Sequence, residues 1–195
     1  MRKDESRERE LIQQIVHGDK VAMKMFYDTY SGYLTAVCAR YISDKEDIKD
    51  VLQESFLKIF RAIHNFKYRG IGSLKAWSAR IVVNESLKFI RENDKMQLMS
   101  LNDWDIPDDN DNIEPDFEDI PTTAILEMIS SLPVGYRTVF NLYVFEEKSH
   151  KEIASMLNIA ENSSASQFHR AKRLLVKEIE KYRLNKENNE RYLAK

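Results

Sequence analysis

The sequence predicts an all-α protein made of two small helical domains joined by an acidic flexible linker. Three observations carry that prediction. Only 5 glycines and 4 prolines interrupt 195 residues, and no alternating Val/Ile/Thr run sits between turn signals, so helices joined by short loops are expected. Hydrophobic residues make up 43% of the chain, enough for packed cores. The stretch SLNDWDIPDDNDNIEPDFEDIP carries three prolines, no helical periodicity, and nine acids without a Lys or Arg between Leu101 and Ile120. Such a segment repels itself and reads as a tether. The formal net charge of −2 conceals this asymmetry, because the remainder of the chain carries +7. The expected boundaries are a first domain at 1–95, the acidic linker at 96–121, a second domain at 122–187 and a polar tail at 188–195.

The first domain divides into helices near 6–17, 20–41, 44–64 and 74–92. Gly18 ends the first. Ser43 with Glu46 reads as a capping box for the third, and Ser73 as a cap for the fourth. On the third helix Ile48, Leu52, Phe56, Ile59 and Ile63 form an apolar stripe. Asp47, Asp50, Glu54, Lys58 and Arg61 form a polar one, which fits a solvated face with favourable acid-before-base pairs. Gln53 beside Asp50 and Glu54 fits a protein-docking surface as well.

On the fourth helix Ala76, Ala79, Val83, Leu87 and Ile90 are the expected core face, with Trp77, Arg80, Asn84, Lys88 and Arg91 on a second stripe. A tryptophan laid across the core with basic neighbours in water would give this pattern, and so would a face for phosphates and a stacking base. The preceding loop, Asn65, Phe66, Lys67, Tyr68 and Arg69, favours nucleic acid. Aromatic residues interleaved with cations are what single strands use, the rings stacking on bases while the cations follow the phosphates. RGIGS lacks the GKS or GKT ending of a phosphate loop.

In the second domain helices are expected near 122–131, 136–145, 150–157 and 163–184. Ser149 and Glu152 form a capping box. Ile153, Ala154 and Leu157 face inward, Asn158 occupies a left-handed turn position, and Ile159 plugs the turn. The last helix places Phe168, Ala171, Leu175 and Ile179 inside, and Ser163, Ser166, Gln167, Arg170, Arg173 and Lys177 outside. The pair reads as a helix-turn-helix with a polar, C-terminally basic recognition face.

Catalysis and cofactors find no support in the sequence. His17, His64, His150 and His169 are scattered, HExxH is absent, and no Ser or Cys pairs with them in a recognisable order. The lone Cys38 offers neither an internal disulfide nor a metal cluster. The linker aspartates miss the glycine and register of a calcium loop. With a charged N-terminus and no long apolar run, the expected location is cytoplasmic, without stable membrane insertion.

DIKDVLQESFLKIFRAIHNF, LKAWSARIVVNESLKFIR, LPVGYRTVFNLYVFEEKSHKEIASMLNI and HRAKRLL, in that order, resemble bacterial sigma factors of the extracytoplasmic-function class. The resemblance implies a region-two and a region-four domain that bind core RNA polymerase and direct it to promoter DNA, as a non-enzymatic specificity subunit. It implies that Asp50, Val51, Gln53 and Glu54 dock on the largest subunit of core polymerase, with Asp50, Gln53 and Glu54 weighted above the core-facing Phe56. It assigns Asn65, Phe66, Lys67, Tyr68, Arg69, Trp77, Arg80 and Asn84 to the minus-ten element. Ser163, Ser166, Gln167, Arg170, Arg173 and Lys177 would meet the minus-thirty-five element, and the second domain would also contact the flap of the second-largest subunit. The linker would thread toward the RNA exit path, and an anti-sigma partner fits the same scheme. One departure is visible: family recognition helices often start at a capping Ser or Thr and carry early Lys and Arg, whereas this one has Ala160 and then SSASQ, so that Asn162 becomes an alternative cap for a later start. The competing readings are a helix-turn-helix regulator independent of polymerase, and a helical adaptor that never touches DNA.

Overall fold

The computed structural model describes residues 2–93 and 114–193. Among them are eight α-helices, one short 3-10 turn and no strand. None of these helices is long and apolar enough to cross a membrane. The chain divides into two compact units after Asn93.

The first unit holds α1 (Arg2–Val16), α2 (Lys20–Ala39), α3 (Lys45–Ala62), the 3-10 turn Ile63–Asn65 and α4 (Ser73–Asn93). Gly18 closes α1 at φ +82°, a left-handed position suited to glycine. The next residue, Asp19, caps α2 by accepting from the amides of Val21 and Ala22 at 2.7 and 3.3 Å. The cap of α3 is Asp44, which accepts from Glu46 and Asp47 at 2.8 and 3.1 Å, so the expected Ser43 box gives way to its neighbour. A carboxylate beside two orphan amides also complements the helix dipole, which favours aspartate there. Ser73 lies inside the first turn of α4, and its Oγ accepts from the Arg69 amide at 3.2 Å. It ties down the loop instead of capping the helix.

Phe26, Leu34, Cys38 and Tyr41 from α2 and its end meet Ile59, Ile63, Leu74 and Val82 in a fully buried core. Ser55, Ser78 and Ser86 are buried with them. Each donates its hydroxyl to the carbonyl four residues earlier, at 2.7, 2.8 and 2.9 Å. That bond removes the cost of burying the hydroxyl and leaves a small contact surface where helices approach. The apolar pattern of α4 therefore misleads at one position. Ala76 is exposed, and the inward stripe runs through Leu74, Ser78, Ala79, Val82, Ser86 and Ile90. Burial pushes the Cys38 thiol above its ordinary pKa, which suits an unreactive core residue.

The second unit holds α5 (Thr122–Ser131), α6 (Val134–Val144), α7 (His150–Leu157) and α8 (Glu161–Leu193). Met128, Ile129, Leu132, Tyr136 and Phe140 pack against Ala171, Leu175 and Ile179 of α8. The Ser149–Glu152 box forms as expected: the Glu152 amide donates to Ser149 Oγ at 3.3 Å, and the Ser149 amide donates back to Glu152 Oε2 at 2.9 Å. Asn158 ends α7 in the left-handed region, φ 56° and ψ 47°. The Ile159 amide then donates to the Ala154 carbonyl at 3.1 Å, closing the turn.

Two expectations about this half change. Helix α8 starts at Glu161, so Asn162 lies within it rather than capping a later start, and it continues to Leu193 across the stretch expected to be a polar tail. No Gly or Pro interrupts that stretch, and its Lys, Glu and Arg residues are good helix formers. The described end of the acidic segment is also no free tether. Ile120 is buried in the core with Phe117 packed beside it. Glu114 pairs with Lys172 at 2.6 Å and Asp116 with Arg183 at 2.9 Å. The Glu118 amide, and then Arg183, hold the Asp116 carboxyl below its usual pKa. The packed body of the second unit thus takes in Glu114 to Ile120. The rest of the expected tether, 96–113, with its path toward the RNA exit, lies outside the described residues.

Candidate nucleic-acid interface

The loop after the 3-10 turn and the first turns of α4 enclose a cleft of about 390 Å³. Gly70 and Gly72 turn the loop back on itself at φ +117° and +84°, conformations that a side chain would strain. Asn65, Phe66, Lys67, Arg69, Trp77 and Arg80 line the cleft, joined by Ser73 and Ala76. The rings of Phe66 and Trp77 stand 5.0 Å apart at 46°. That leaves an open aromatic angle flanked by Lys67, Arg69 and Arg80, with no carboxylate in the lining. Small Ala76 gives the cleft its room, which is why an apolar residue read as core is found at the surface.

Two of the eight residues expected here lie elsewhere. Tyr68 turns toward α1, its ring beneath the Arg9 guanidinium at 4.4 Å. Asn84 is exposed farther along α4 and does not line the cleft.

The expected docking residues on α3 divide between two flanks of the helix. Val51 is only 5% exposed and belongs to the core. The stripe it shares with Ser55 and Ile59 faces inward, and what remains of its surface lines the same small groove as Asp50 and Glu54. Gln53 is exposed and lines an apolar groove of about 800 Å³ between α2 and α3, with Tyr27, Leu52, Phe56, Leu57 and Phe60. Asp50 and Glu54 are exposed on the other flank, beside Glu85, Lys88 and Glu92 of α4. Sequence reasoning missed the groove. Its signal was Leu57, which falls off the single apolar stripe assigned to this helix and is 40% exposed.

In the helix-turn-helix, rings wedge three helices together. Tyr143 at the end of α6 lies 4.8 Å from His150 of α7 and 4.3 Å from Phe168 of α8. His150 Nδ1 is 3.0 Å from the hydroxyl of buried Ser164. These contacts set the rotation of α8 about its own axis. Its inner stripe becomes Ser164, Gln167, Ala171 and Leu175, while Phe168 is half-buried at the edge. Gln167 is therefore not on the outer face: it is 6% exposed, and its Oε1 is buried without a hydrogen-bond partner. The outer face keeps exposed Ser166 and Lys177 and half-buried Ser163, Arg170 and Arg173.

Comparison with known proteins matches residues 26–96 to Sigma-70 region 2 and residues 122–175 to Sigma-70, region 4. The chain is 26% identical over 185 residues to the ECF RNA polymerase sigma-E factor of Haemophilus influenzae, covering 87% of this chain and 94% of that protein. It is likewise 26% identical over 196 residues to the RNA polymerase sigma-H factor of Pseudomonas aeruginosa, covering 90% and 95%. A solved structure of CnrH in complex with the cytosolic domain of CnrY shares 20% identity, covers 88% of this chain and 96% of that one, and superposes with a TM-score of 0.46. Both regions of one family are present, in order and across more than half of the chain, with the aromatic cleft inside the first and the helix-turn-helix inside the second. The chain belongs to the sigma-70 family, in its extracytoplasmic-function class.

Proposed function

We propose that this sigma factor divides promoter recognition between two sites, holding opened single strand in the cleft at 65–80 and duplex on the outer face of α8. The observation that carries this reading is the Phe66–Trp77 pair, 5.0 Å apart inside a ring of cations. Buried apolar pairs need no such setting; a base that stacks while its phosphates are neutralised does. Stacking supplies roughly 1–3 kcal/mol per base. That energy is available only once strands separate, so the cleft favours the opened state of the promoter over the closed one. On α8, Arg170 and Arg173 supply backbone contacts and Ser166 is the exposed short hydroxyl that can approach a base edge.

Core polymerase docks, in this reading, on the α2–α3 groove and its acidic flank. Gln53 and Leu57 lie on one side, Asp50 and Glu54 on the other. An exposed apolar groove rimmed by polar residues is the kind of surface that protein partners cover. The largest subunit is the expected contact there, and the second-largest meets the second unit. An anti-sigma partner fits as a protein that covers one of these surfaces and so competes with polymerase or DNA.

Transcription in vitro with core polymerase on a pool of promoters tests this division. The chain with core should select a subset of the pool, and Leu57→Glu should abolish that activity while leaving the thermal unfolding of the chain unchanged. Specific, tight duplex binding by the chain without core, with no transcription from any template, would overturn it.

A further inference from the structure

The loop that builds the strand cleft is held from behind by the first helix, and neither its sequence pattern nor the assigned interfaces use that contact. Glu8 of α1 places Oε2 3.3 Å from the Gly72 amide, which donates to it. Its other oxygen, Oε1, accepts from the Tyr30 hydroxyl of α2 at 3.5 Å. The next residue of α1, Arg9, lies over the Tyr68 ring at 4.4 Å. Tyr68 and Gly72 bracket the tip of the loop, and Gly72 directly precedes the first residue of α4. The carboxylate thus joins α1, α2 and the loop across 64 residues of chain. Burial first, and then the Glu8 charge, hold the Tyr30 and Tyr68 phenols above their ordinary pKa, so both remain protonated at neutral pH.

We infer that Glu8, with Arg9, is a positioning residue for strand capture: it latches the 66–72 loop from the rear and keeps Phe66 and Arg69 aimed into the cleft. Both Glu8 contacts are long for hydrogen bonds, so the latch restrains the loop without freezing it, and an entering base can still adjust the aromatic angle. A glycine amide at φ +84° has no side chain to steady it. The outside acceptor supplies that restraint. This inference rests on the cleft being the strand site, so its test must separate the two.

Amide hydrogen exchange on the full chain reads the latch. Affinity of the polymerase holoenzyme for the single-stranded non-template oligonucleotide of a promoter recovered from the pool reads the consequence. Glu8→Ala should speed exchange over 66–72 and weaken strand affinity about 3- to 10-fold, the worth of a lost hydrogen bond. Binding to duplex carrying only the upstream element should stay unchanged. Glu8→Gln keeps an oxygen acceptor and should recover most of both effects, which a general loss of folding would not allow. Unchanged loop exchange in Glu8→Ala overturns the latch. Faster exchange with unaltered strand affinity, while Trp77→Ala lowers it, overturns the positioning role and leaves the cleft standing. If neither Glu8→Ala nor Trp77→Ala lowers strand affinity, the cleft reading fails and the positioning role fails with it.

Discussion

The strand cleft and the reading helix are built in opposite ways. The cleft comes from one continuous stretch, Asn65 to Arg80, where a glycine-bent loop runs straight into the start of a helix. Its chemistry is fixed by which residues are adjacent, so tertiary packing needs only to hold the loop. The outer face of α8 is a matter of rotation. A turn of the helix by one position would exchange Gln167 for Ser166, and the wedge of Tyr143, His150 and Phe168 decides which one faces out. A site written in contiguous residues tolerates errors in periodicity; a site written on one face of a helix does not.

Removing an aromatic from the cleft should have the largest effect. Trp77→Ala should lower open-complex formation on the preferred promoter on the order of 10- to 100-fold, the range expected for a lost stacking partner. Permanganate footprinting of the melted region would read it. Equal losses in closed-complex binding would remove the distinction between the two sites.

On α8 the effects should be smaller and should differ from residue to residue. Arg170→Ala should weaken all promoters alike and reduce the salt slope of binding by about 1, as a backbone contact does. Ser166→Ala should instead shift the ranking of promoters by a few fold, near the lower end of what one base contact is worth, about 1 kcal/mol. Transcription across the promoter pool at two salt concentrations measures both. Equal losses on every promoter for Ser166→Ala would show that this face positions DNA without reading it.

Gln167 sharpens the comparison because its two environments predict opposite outcomes. Buried with an unpaired Oε1, it should accept Gln167→Leu with promoter ranking unchanged and with no loss in the urea midpoint of the second unit, since an unsatisfied buried acceptor costs stability. Altered ranking would return Gln167 to the DNA face.

The smallest effect concerns acid. Hydrogen bonds from the Ser149 amide and then its hydroxyl hold the Glu152 carboxyl below its ordinary pKa. The charged form is the one favoured by folding, so its contribution is present above the unfolded pKa and is lost as pH falls through the lowered folded value. Asp116 behaves in the same sense, through the Glu118 amide and Arg183. Thermal unfolding followed from about pH 6 down to about pH 3 should show the second unit weakening, with a shallower slope in Glu152→Gln.

Much of this protein was legible in its sequence. The helices themselves, the capping box at Ser149, the left-handed Asn158 and the aromatic-basic loop all depend on neighbours within a few residues, and local chemistry dictates them. The family regions are equally local in their motifs. Packing alone decided the rest. Val51 and Gln167 went inside because the inner stripe of each helix includes a serine, Ser55 or Ser164, that a hydrophobicity pattern counts as outside. Ala76 went outside for the complementary reason, since a cleft needs a small residue in its wall. The apolar groove, the folding of Glu114 to Ile120 onto α8 and the reach of Glu8 to Gly72 join residues far apart in the chain. No periodicity records such contacts, because they depend on which helix faces become neighbours after the chain has packed.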